Sequence, residues 1–81
     1  MSSARYFVFA AGKQWIVALD GMAIGRHRSR PEAVNSAIVM ADLMGSMRHD
    51  ADVMVEDAGK LDLVWTYGAD TLPEGTTGAA A

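Results

Sequence analysis

The sequence predicts an α+β domain in which one helix packs on one face of an antiparallel β-sheet, the elements following in the order β-β-β-α-β-β. Three observations predict it. Residues 5–28 hold three short strand-like runs, the first rich in aromatic and β-branched types and the third weaker, separated by glycine-containing turns. A segment opened by a helix-start signal follows, with small and apolar residues recurring at helical spacing. Two further alternating runs, joined by the hairpin turn Asp57-Ala58-Gly59-Lys60, come after it. A helix against one sheet face is the packing that buries both apolar surfaces.

The first strand is expected over Arg5–Ala10 (RYFVFA), and Ala11-Gly12-Lys13-Gln14 forms the turn after it. Trp15–Asp20 (WIVALD) is the second strand, with Trp15, Val17 and Leu19 on one face and Ile16 and Ala18 on the other. Gly21 supplies the next turn. Met22–Arg28 (MAIGRHR) is a weaker third strand, in which Gly25 marks a bulge or an edge.

Ser29-Arg30-Pro31-Glu32 fits a capping box, with Pro31 in the first turn where its missing N–H costs nothing. The helix is expected from Arg30 to Met47, with Gly45 loosening its last turn. Ala33, Val34, Ala37, Ile38, Ala41 and Met44 share the side that packs on the sheet. Val39 and Leu43 lie among polar residues on the opposite side, and Met40 and Met47 extend that strip. A fourth strand is expected over Asp52–Glu56 and a fifth over Leu61–Tyr67, with Leu61, Leu63, Trp65 and Tyr67 on one face. Gly68 ends the domain, so residues 1–68 form one unit and 69–81 (ADTLPEGTTGAAA) a flexible tail with nothing to bury.

Composition narrows the function classes. Eighty-one residues make one small domain. The apolar share of 51% argues against disorder and leaves apolar surface that self-association would cover. There is no cysteine, which excludes disulfides and thiolate metal sites. The first residues lack a signal-peptide pattern and no run reaches the length that spans a bilayer, so a cytoplasmic protein is expected. Residues 1–48 carry six Lys/Arg against three acids, and 49–81 carry one Lys against seven acids. The chain is electrically bipolar, which fits a soluble surface, a head-to-tail contact or a nucleic-acid contact.

A set of short motifs runs through these elements. Tyr6 and Val8 form a Tyr-x-Val strand, followed by Trp15 and Val17 as Trp-x-Val. Ser29 opens a helix bearing Glu32-Ala33; Val53 and Val55, the turn at Gly59, and Trp65, Tyr67 and Gly68 complete the set. In these residues the chain resembles the short bacterial proteins of domain-of-unknown-function family 2188, over roughly residues 5–70. The resemblance implies the β-β-β-α-β-β architecture. The family has no assigned activity, so no functional residue is carried over. Met22-Ala23-Ile24 stands where the family is more polar, and the helix is more apolar than the family's. Those departures bear on a shared partner more than on the fold.

The candidates for chemistry are few. His27 lies between two arginines, and His49 sits beside Asp50 at the helix end, where a cation is favoured by the helix dipole. His49, Asp50 and Asp52 lack the spacing of a zinc or calcium site, and no glycine-rich stretch forms a phosphate loop. No catalytic residue, cofactor or metal is therefore expected, and the protein is read as non-enzymatic. Two surfaces remain. One is apolar and self-associating, expected to make a homodimer. It is either Phe7, Phe9 and Ile16, which lie on an uncovered sheet face if the helix packs on the Tyr6 and Val8 side rather than on theirs, or Val39 and Leu43 on the helix. The other is the basic cluster Arg26, Arg28 and Arg30, which offers an anion or nucleic-acid contact through guanidinium groups beside helix N-terminal amides. Three arginines make a weak, salt-sensitive site, and the simpler reading is charge that protects an edge strand.

Overall fold

The computed structural model describes residues 3–70. Its elements are β1 (Ser3–Ala11), β2 (Gln14–Leu19), β3 (Met22–His27), α1 (Arg30–Ser46), β4 (Asp50–Asp57) and β5 (Lys60–Thr66). The chain thus runs β-β-β-α-β-β. In the sheet the strands lie in the order β3-β2-β1-β4-β5.

The expectation of a purely antiparallel sheet is corrected: β1 and β4 pair in parallel, from Ser3 beside Asp50 to Phe9 beside Glu56. The other three pairs are antiparallel. Chain direction explains the mixture. Three meander strands leave β3 running the same way as β1, and a helix then returns the chain along the sheet. The seventeen residues of α1 span about 25 Å, enough for that return. Strand β4 must therefore run with β1 and β3, as crossover-connected strands do. Among the first three strands it would be antiparallel only to β2, whose two edges are already taken.

Tight turns join the antiparallel pairs. Asp20-Gly21 and Ala58-Gly59 both have positive φ at the two central positions (52° and 80°; 53° and 80°), the backbone of a hairpin turn that matches strand twist.

The helix begins where its cap residues place it. Ser29 is extended (φ −136°, ψ 156°), and the Glu32 amide donates to its Oγ at 3.3 Å. At the other end the Arg48 amide donates to the Gly45 carbonyl (3.0 Å) and the His49 amide to the Met44 carbonyl (3.2 Å). Those two bonds form a Schellman closure, which puts Arg48 in the left-handed region at φ 69°. Helix α1 therefore stops at Ser46, one residue before the expected end.

Ala33, Ala37, Ile38, Ala41 and Gly45 form the buried face of α1. Beneath them lie Ala4, Tyr6 and Val8 of β1, Val17 of β2, Ala51, Val53 and Val55 of β4, and Trp65 of β5. Trp15, Leu19, Val34, Met40 and Met44 pack around this core. The alanines let the helix approach the sheet closely, so the four fully buried valines, Val8, Val17, Val53 and Val55, are sealed.

Gly45 does more than loosen the last turn. A Cβ built there would lie within the ring of Tyr67, so the absence of a side chain is what seats that ring on the helix. Tyr67 in turn meets Trp65 edge-on, with ring centroids 6.3 Å apart.

Two bulges revise the expected faces. In β5, Trp65 pairs with Val53 but Leu63 pairs with Met54, so Val64 is the extra residue. Leu61 and Leu63 consequently point away from the helix, although they alternate in sequence with Trp65. In β3, Gly25 pairs with Val17 and Ala23 with Ala18, leaving Ile24 as the extra residue. Strand β3 is thus both bulged and an edge.

Hydrogen-bonded structure continues past Gly68. The amides of Ala69 and Asp70 donate to the Thr66 carbonyl, and Asp70 Oδ2 accepts from the Thr66 amide at 2.9 Å. The remainder of the expected tail, 71–81, lies outside the described residues.

Candidate interaction surface

Helix α1 covers one face of the sheet, where Tyr6, Val8, Val17, Val53 and Val55 are buried. Residues of opposite parity form the other face, and the register arranges them in two rows across the strands. One row runs Ala23, Ala18, Phe7, Met54, Leu63 from β3 to β5. The adjacent row runs Arg26, Ile16, Phe9, Glu56, Leu61. Eight of these ten side chains are apolar, and no element of the described chain packs over them.

The expected association residues Phe7, Phe9 and Ile16 all fall on this bare face. Phe7 and Phe9 are half-buried, and Ile16 is only 7% exposed. Leu61 and Leu63, at 52% and 56%, are among the most exposed large apolar side chains of the fold. Beside Phe7 and Phe9 lies an open hollow of about 400 Å³ above Ala18 and Ala23, bounded by Gly21 and Glu56. Where β1 and β4 begin, the face turns polar: Arg5 and Asp52 are register partners joined by an ion pair of 3.1 Å. An apolar centre with a charged rim is the anatomy of a protein interface.

Sequence reasoning missed Met54, Leu61, Leu63, Ala23 and Glu56 as members of this face. The parity of β5 hid the two leucines, because one extra residue at Val64 exchanges the faces. Three consecutive apolar residues, Leu63-Val64-Trp65, interrupt the alternation and are the one sign of the bulge in the sequence.

The helix alternative is smaller than expected. Leu43 is 59% exposed and Met47 is exposed, but Val39 is half-buried and Met40 packs against the core.

The basic cluster is spread over β3, the link after it and the first residue of α1. Arg26 lies on the bare face beside Ile16. Strand β3 ends at His27, so Arg28 falls outside it and the two arginines do not project from one strand face. Arg30 Nε lies 3.7 Å from Asp57 Oδ2 in an exposed ion pair, which is worth little energetically but offsets part of the local positive charge.

His27 takes a structural position. It pairs with Trp15 on the helix-covered side, and its ring lies over Gly25. Its Nε2 is buried without a hydrogen-bond partner. Burial of Tyr6 pushes its phenol above the usual value, and the Asp20 carboxylate raises it further. Among the described residues no three His, Asp or Glu side chains gather to hold a metal ion. No helix among them is long and apolar enough to cross a membrane.

The chain matches no protein-family model, no curated protein and no solved structure.

Proposed function

We propose that this protein is a small non-enzymatic interaction module of the cytoplasm that self-associates through the bare face of its sheet. The observation that carries the proposal is a five-stranded sheet covered by a helix on one side only, with Phe7, Phe9, Ile16, Met54, Leu61 and Leu63 on the other. Such a contiguous apolar face on a monomer marks a contact surface. The two edge strands each carry a bulge, which works against edge-to-edge pairing and favours association face to face. Kinship with domain-of-unknown-function family 2188 belongs to the same proposal and adds no activity to it.

Light scattering at millimolar protein tests this reading. Wild type and Leu43→Asp are expected to be dimers and Phe9→Asp a monomer with an unchanged far-UV circular dichroism spectrum. A monomeric wild type, or a dimer lost in Leu43→Asp and kept in Phe9→Asp, would overturn it. Titration of labelled DNA at low salt addresses the basic cluster, for which no binding is expected.

A further inference from the structure

The bare face has a charge pattern and a relief that select one way of stacking two copies. We propose that a second copy of this chain docks face to face about a two-fold axis parallel to the strands, lying above the boundary between β1 and β2. This rests on the self-association proposed above and specifies its geometry.

Such an axis sets β1 of one copy over β2 of the other, and β3 over β4. In the first row, Phe7 of the second copy then stands over Ala18, and Met54 of the second copy over Ala23. Those two alanines floor the 400 Å³ hollow, so the largest side chains of one copy enter the depression of the other. In the second row, Phe9 of the second copy meets Ile16, and Glu56 of the second copy meets Arg26. The symmetry repeats each contact. In the first row large residues therefore face small ones, and in the second the two charges neutralise each other. Both matches follow from a single placement of the axis.

Other placements lose one or both matches. An axis directly above β1 sets Phe7 on Phe7, Ile16 over Glu56 and Arg26 over Leu61, leaving each charge on an apolar side chain. An axis perpendicular to the strands, between the two rows, sets Glu56 over Met54 and Arg26 over Ala23. Burying either charge without its opposite is costly.

Four overlapping strands at about 4.8 Å spacing, each contributing about six residues, give a footprint of roughly 19 by 20 Å per copy. That is roughly 760 Å² over the two copies, below the roughly 1,200 Å² of stable complexes and in the range of weak, transient ones, so dissociation in the micromolar range is expected.

Charge reversal tests the axis. Arg26→Glu brings a second carboxylate against Glu56 at both symmetry-related contacts of the dimer, and Glu56→Arg likewise brings two guanidinium groups together at both. By sedimentation velocity each variant alone is expected to dimerise at least tenfold more weakly than wild type. An equimolar mixture of the two is expected to recover a dimer, since the mixed pair sets two like-charged contacts aside for one all-acidic and one all-basic surface of opposite sign. If wild type dimerises and Phe9→Asp abolishes it, but either charge variant alone dimerises like wild type, the axis is wrong and the face remains right. A mixture no tighter than its components would overturn the axis equally. A monomeric wild type would remove the face and the axis together.

Discussion

Replacing Gly45 by alanine changes sign with its surroundings. In an isolated helix the substitution stabilises by about 1 kcal/mol, because glycine loses more backbone freedom on folding. Here the new methyl group would fall within the Tyr67 ring, with Cγ the nearest ring atom. Overlap at the root of a ring is not relieved by a small tilt, so the side chain must leave its rotamer. The edge contact with Trp65 would then be lost, worth about 0.5–1.5 kcal/mol, together with the ring's own burial against the helix. Overpacking of this kind costs about 1–3 kcal/mol. Offsetting roughly 2 kcal/mol of displacement against 1 kcal/mol of helix propensity leaves Gly45→Ala destabilised by about 1 kcal/mol. In a Tyr67→Ala background nothing is displaced, and the same change should stabilise by about 1 kcal/mol. Urea unfolding of the four proteins in the cycle measures a coupling of about 2 kcal/mol. Stabilisation by Gly45→Ala in both backgrounds would refute the packing of Tyr67 on the helix.

Arg48→Gly should raise stability by about 0.5–1 kcal/mol, since a left-handed C′ position strains any residue with a Cβ; a lower urea midpoint would contradict the Schellman closure. His27→Leu should raise it by about 1 kcal/mol by replacing a buried, unpartnered nitrogen with an apolar group of similar size, and a loss would indicate that Nε2 has a partner in solution. Tyr6 gives an alkaline signature. With its phenol raised in the fold, the unfolded chain releases the proton first, so stability is fully present below about pH 10 and declines as pH rises through the folded value. Tyr6→Phe should flatten that decline in urea titrations between neutral and alkaline pH, and an unchanged slope would show that the group does not titrate differently on folding.

The elements of this fold were legible because each is written locally. Ser29 and Glu32 mark the helix start, and turns containing Gly12, Gly21 and Gly59 separate the strands. What escaped is non-local. The parallel pairing of β1 and β4 follows from counting strand directions through the helix, which periodicity within a strand does not express. The bulge at Val64 depends on how β5 meets β4, and it puts Leu61 and Leu63 on the bare face rather than on the expected face with Trp65. Gly45 looked like a helix weakness because its counterpart, Tyr67, is distant in the chain. For the candidate surface, the alternation of Phe7 and Phe9 with Tyr6 and Val8 divided the two faces but left open which one the helix covers. The burial of Tyr6 and Val8 decides that question.

Self-association through the bare sheet face is tested most directly by following backbone and methyl chemical shifts on dilution from millimolar to low micromolar protein. The account predicts concentration-dependent shifts concentrated on Phe7, Phe9, Ile16, Ala18, Ala23 and Met54, with Val39 and Leu43 unmoved. Shifts independent of concentration, or confined to Val39, Leu43 and Met47 on the helix, would contradict it.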